Sequence, residues 1–135
     1  MAAEIFTQRF PVDPADIDEL GHVNNIVYLR WAQDIATAHW RARAGAEAVA
    51  AYVWVVVRHE ADYRSALTLG DEVEVRTWVD AAPRGPTWIR YVEVRKAGAE
   101  KPAVQIQSNW CLLDAESRRV KRVPLELVQR FFAAD

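Results

Sequence analysis

The chain has 135 residues, of which 51% are hydrophobic, and a formal net charge of -2 from 17 Lys and Arg against 19 Asp and Glu. That length fits a single domain, 1–135, with apolar material enough for a core. The charge balance leaves no basic face for nucleic-acid phosphates, and one cysteine, Cys111, excludes both an internal disulfide and the paired cysteines of structural zinc, so no metal is expected.

The opening residues show no basic segment followed by an apolar run. The apolar stretch 53–57 is far short of the roughly 20 residues that cross a bilayer. A cytoplasmic chain with no membrane partner is expected. Residues 5–12 read as an extended entry strand. Pro11 and Pro14 then interrupt regular structure, and residues 16–21 are turn-like, rich in Asp and closed by Gly21.

Asn24 is a good helix cap, and residues 26–44 hold no Pro or Gly. Arg30, Asp34, Thr37 and Arg41 fall on one narrow polar stripe of that helix. Val27, Tyr28, Leu29, Trp31, Ile35 and Trp40 are among the apolar remainder, so the helix is expected to be mostly buried, with Gly45 as its stop. The Ala-rich residues 45–51 read as the frayed helix end followed by a turn. His39, late in the helix, has no evident partner.

Four strand-like segments follow. In residues 53–63 the alternation puts Val53, Val55, Val57, Ala61 and Tyr63 on one face with His59, which reads as a core histidine, and Arg58, Glu60 and Asp62 on the other. Val73, Val75, Thr77 and Val79 alternate with charged residues including Glu74, the period of a half-buried strand. Residues 87–95 form the third strand, 96–100 a hairpin loop, and 104–112 the fourth strand. Pro124 opens a short amphipathic helix. Short connections favour hairpins, so the reading is α+β: an antiparallel β-sheet around a long central α-helix. Six tryptophans point to a core, a pocket or a subunit interface.

Chemistry concentrates in residues 16–25, directly ahead of the helix. A helix start offers unpaired amides and the positive end of a dipole, which polarise a carbonyl where negative charge develops. A carboxylate just upstream can serve as base or nucleophile. Together these are the two halves of an acyl-transfer site. The alternative is structural: Asp16 and Asp18 as turn residues, Asn24 as a simple cap, Tyr28 and Trp31 as core.

The string Asp16-x-Asp18-x-x-Gly21-His22-Val23-Asn24-Asn25-x-x-Tyr28-Leu29-x-Trp31 resembles the signature of hotdog-fold acyl-CoA thioesterases, the branch containing 4-hydroxybenzoyl-CoA thioesterases and acyl-CoA thioester hydrolases. It is also similar to plant acyl-carrier-protein thioesterases. Ala61-Asp62-Tyr63-Arg64, then Leu69-Gly70-Asp71-Glu72-Val73, resembles the next family block. The resemblance implies a hotdog fold, hydrolysis of acyl-CoA thioesters, coenzyme A entering only as part of the substrate with no other cofactor, and a homodimer or homotetramer with sites at the subunit interface.

Residue by residue, the resemblance places Asp18 as the catalytic carboxylate, nucleophile or base. It makes the Asn25 amide the carbonyl donor and His22 a second catalytic-site residue. Asn24, Tyr28 and Trp31 join Asn25 as substrate-binding residues, the last two beside an apolar slot for the acyl group. Arg84 and Arg90 are candidates for coenzyme A phosphates. Two positions depart from the plant-type pattern: Leu20 stands where an Asn is expected, and Ala66 near an expected Glu. A non-catalytic acyl-CoA-binding module is therefore the alternative. A dehydratase using His39 and Asp34 lacks the sequence context of that branch.

Overall fold

The computed structural model describes residues 2–133. In chain order the elements are β1 (Phe6–Pro11), a 3-10 turn (Pro14–Asp16), α1 (Asn25–Arg43), α2 (Ala46–Ala51), β2 (Tyr52–Tyr63), β3 (Glu72–Val79), β4 (Thr87–Lys96), β5 (Val104–Asp114) and α3 (Leu125–Gln129). The strands form one sheet in the order β1-β3-β4-β5-β2, antiparallel throughout. One face of it packs on α1, whose contacts run to β1, β3, β4 and β5. This is the α+β hotdog arrangement.

Helix α1 forms where the pattern places it. The Asn24 side chain accepts the Ile26 amide at its start, and Gly45 at φ 87° ends it, a conformation costly for a residue with a Cβ. The helix buries Val27, Tyr28, Trp31, Ala32, Ile35 and Trp40, while Arg30, Asp34, Thr37 and Arg41 face out. Each fully buried apolar side chain contributes about 1.5–3 kcal/mol. Residues 46–51 are not a frayed end. They form α2, which runs directly into β2.

The inward row of β3 is buried as expected, with Val73, Val75, Thr77 and Val79 at 3% exposure or less. Glu74, on the opposite row, is also buried. Arg9, Arg76 and Arg95 surround its carboxylate at 2.6, 2.7 and 3.9 Å. Burial raises its pKa, but the hydrogen bonds from Arg9 and the charge of Arg76 outweigh that and hold it below the usual carboxylate range.

Strand β2 corrects the expected facing. Its register against β5 shifts between Val56 and Arg58, a bulge with Val57 as the extra residue. Before the bulge Tyr52 and Trp54 pack on the core and Val55 is exposed; after it His59 and Ala61 turn inward. Val53, Val55 and Val57 therefore do not share the face of Ala61 and His59. A one-residue insertion inverts every side chain beyond it, which strict alternation cannot register.

The core has two lobes. One surrounds Tyr28, Trp31 and Ile35; the other holds Trp40, Trp54, Trp88, Leu112 and Phe131. Among the described residues no helix is long and apolar enough to cross a membrane. The two edge strands differ. β1 has six residues and ends at Pro11, whereas β2 has twelve and exposes Val55 and Val57.

Candidate functional site

Residues 13–25 form a tightly tethered turn. Asp13 caps the 3-10 segment by accepting the Ala15 amide at 2.9 Å. The Asp18 amide donates to the His22 carbonyl at 2.8 Å, and the Gly21 amide returns to the Asp18 carbonyl at 3.0 Å. Gly21 sits at φ 80°, so this bend needs a residue without a Cβ. The turn is tied to the body through the Val23 amide on the Leu67 carbonyl and through Tyr28, whose hydroxyl accepts the Leu67 amide at 3.1 Å.

Asp18 is half-buried. Its Oδ1 accepts the amides of Leu20 at 2.9 Å and His22 at 3.3 Å, an arrangement that orients the carboxylate. Oδ2 has no hydrogen-bond partner among the described residues. Asp16 has a purely structural place: Oδ2 takes Arg30 at 2.7 Å and its carbonyl accepts the Asn24 amide.

Two of the amides at the helix start are already taken. Asn24 Oδ1 covers the Ile26 amide at 3.1 Å, and the Val27 amide donates to the Asn24 carbonyl at 2.9 Å. The Asn25 amide has no acceptor among the described residues, while its carbonyl accepts from the Tyr63 hydroxyl at 3.2 Å. His22 is exposed, and its ring makes no hydrogen bond among the described residues. Leu20, Ile26 and Leu69 expose apolar side chains on this part of the surface.

Tyr28 and Trp31 are 1% and 6% exposed and lie in the packed core, Trp31 edge-on to Phe10 and to Tyr28. A cavity of about 300 Å³ lies toward the other end of α1, lined by residues including Ala36, Trp40, Trp54, Trp88 and Arg90.

His39 is the residue that sequence reading underrated. It is fully buried, with Nε2 2.8 Å from Glu4 and Nδ1 2.9 Å from Arg90. Arginine only donates, so Nδ1 accepts and Nε2–H donates to Glu4: the ring is neutral. Burial first, and the Arg90 charge second, lower its pKa from 6.5 to about 4. Its partners lie 35 and 51 positions away, beyond any local pattern. His59 is held by Ser108 at 2.6 Å and Gln33 at 3.2 Å, a satisfied histidine as expected. Arg90 is 8% exposed and is not a surface arginine available to coenzyme A phosphates, whereas Arg84 is exposed. Among the described residues no three of His, Cys, Asp and Glu converge as a metal site.

Residues 12–131 match the family model described as the thioesterase-like superfamily. No curated protein matches the chain. Among solved structures, a thioesterase from Thermus thermophilus complexed with coenzyme A and Zn is 26% identical, with 98% of this chain and 100% of that one covered at a TM-score of 0.80. Slr0204 from Synechocystis, a 1,4-dihydroxy-2-naphthoyl-CoA thioesterase, is 17% identical over 93% of each chain, TM-score 0.77. SAV2348 from Staphylococcus aureus, solved in complex with CoA, is 16% identical over 100% of this chain and 90% of that one, TM-score 0.81.

Proposed function

The chain belongs to the thioesterase-like superfamily, and from that premise we propose that it hydrolyses acyl-CoA thioesters to the free acid and CoA at the Asp18 turn. What supports the reading is that one turn carries, seven residues apart, a carboxylate whose Oδ1 is held by the Leu20 and His22 amides while Oδ2 has no partner among the described residues, and the Asn25 amide of the helix start, likewise without an acceptor among them. The amide donates to the thioester carbonyl oxygen and stabilises the charge that develops on it. Asp18 takes the proton of a water that adds to the carbonyl carbon, or attacks that carbon itself and forms a mixed anhydride that water then opens. In both routes the carbon–sulfur bond breaks, and the CoA thiolate leaves and takes up a proton. His22, exposed beside the turn, is assigned to positioning the substrate. The CoA complexes of two solved relatives support CoA as the carrier.

The reading includes a second copy of this chain. Val55, Val57 and Tyr63 expose apolar surface along the open edge of β2, and Tyr63 reaches the first residue of α1. Pairing two β2 edges about a two-fold axis covers that edge and brings a partner to the site.

The deciding experiment is thiol release across short, long, branched and aryl CoA thioesters, for the parent and Asp18→Asn. Asparagine keeps an oxygen to accept the Leu20 and His22 amides, so the fold should persist while kcat falls about 10²–10⁴-fold. Equal rates in the two proteins would remove Asp18 from the chemistry. Tight acyl-CoA binding with no thiol release from the parent would instead establish the non-catalytic module, which the Leu20 and Ala66 departures motivate. Single turnover in ¹⁸O water separates the routes: label in the Asp18 carboxyl marks the anhydride.

A further inference from the structure

The cavity beyond the middle of α1 has aromatic walls: Trp40 from α1, Tyr52 and Trp54 from β2, Trp88 from β4, Trp110 from β5, and Phe131. Trp40 stands edge-on to Trp54 at 5.7 Å between ring centroids, and Trp54 tilts over Trp88 at 6.4 Å. Such a frame accepts flat apolar rings by offset and edge contacts. Its volume of about 300 Å³ is in the range of small-molecule sites.

The wall also carries one cation, Arg90, 8% exposed. Nη1 donates to His39 Nδ1 at 2.9 Å and to Thr77 Oγ1 at 3.1 Å. Nε and Nη2 have no acceptor among the described residues, and no carboxylate there forms an ion pair with this guanidinium. The nearest acid in the network, Glu4, lies across the neutral His39 and is bound to Arg43 at 2.8 Å. Burial lowers the Arg90 pKa only to about 10, so the group is charged at neutral pH. A buried charge without a partner is expensive, and a fork with two idle donors matches a carboxylate in shape.

We infer that this cavity binds an aromatic carboxylate, its rings among Trp40, Trp54, Trp88 and Trp110 and its carboxylate on Nε and Nη2 of Arg90. The site is separate from the Asp18 turn within one protomer. Ala36, at its near end, is eleven residues beyond Asn25 along α1, about 16 Å at 1.5 Å per residue. The acid has two sources: the product of the hydrolysis proposed above, or an acid made elsewhere. Binding itself is read without any thioester, so its failure is distinct from failure of the hydrolase reading.

The probe is 2-naphthoate, with neutral 2-naphthamide as its control, titrated calorimetrically into the full chain. The acid should bind at least tenfold more tightly than the amide. Arg90→Gln should bring the acid down to the level of the amide, and Ala36→Trp, which fills the cavity, should abolish both. Naphthoate should also shift the indole N–H resonances of Trp40, Trp54, Trp88 and Trp110 and spare those of Trp31 and Trp78, a readout that needs no variant. No binding, equal affinity for acid and amide, or shifts at Trp31 or Trp78 in place of the cavity tryptophans would each overturn the proposal, as would unchanged affinity in a folded Arg90→Gln. The acids released in the thiol-release panel, titrated in the same way, separate the two sources: one that binds as tightly as naphthoate marks the reaction's own product, and weaker binding by all of them marks an acid from elsewhere.

Discussion

His39 shows how one side chain couples distant parts of the chain. It is fully enclosed and neutral, accepting from Arg90 on β4 and donating to Glu4 ahead of β1. Its folded pKa, about 4, lies below the ordinary histidine value of 6.5, so between those values the unfolded chain takes up a proton that the folded chain refuses. Stability from this group is complete above pH 6.5 and is lost as pH falls toward 4. Glu4 adds to the loss in the same direction. Burial raises its pKa, but hydrogen bonds from Arg43 and His39 outweigh that and hold it low, so its contribution fades only in more acid solution. Thermal melts should show Tm falling from pH 7 to pH 4.5 in the parent. His39→Gln, which can accept from Arg90 and donate to Glu4 without titrating, should flatten that fall. A variant whose Tm tracks the parent at every pH would mean that His39 does not set the slope.

Local elements were legible where the information was local. The Asn24 cap, the unbroken stretch to Arg43 and the Gly45 stop identify α1, and the Asp-rich run ending in Gly21 identifies the turn ahead of it. The site's two-part logic was readable for the same reason: carboxylate and helix start are neighbours in sequence. What failed to show was non-local. The bulge at Val57 sits inside a run of valines and leaves no mark in residue type. The burial of Glu74 depends on Arg9, which is 65 positions away. Tyr28 and Trp31 stand on the expected helix face, but only packing decides between core and slot. At this scale the cap can be tested. Asn24→Ala leaves the Ile26 amide without its acceptor and should cost about 1 kcal/mol in denaturant unfolding. It should also loosen the first turn of α1, so thiol release should fall along with stability. If stability falls and turnover does not, the helix start is not the carbonyl's donor.

For the molecule as a whole, helix and sheet have divided the core into two aromatic lobes. The lobe at the start of α1 is closed and holds the turn steady; the one at its far end is open and carries an unmatched charge. The proposed assembly is testable here. Val57→Lys places a charge on the open edge of β2, where the parent exposes 57% of an apolar side chain. Light scattering should show the parent at twice the chain mass or a multiple of it, and the variant shifted toward the single chain, with turnover lost in parallel. A parent that runs as a single chain at every concentration would end the paired-site reading.

The unequal margins of the sheet carry a consequence for growth. β2 is long and apolar at its rim, whereas β1 is half as long, carries Arg9 and ends at Pro11, which has no amide hydrogen to offer a newcomer. If two copies pair at β2 as proposed, only the short β1 margin is left to extend. The same asymmetry that suits that pairing therefore also works against a fibre.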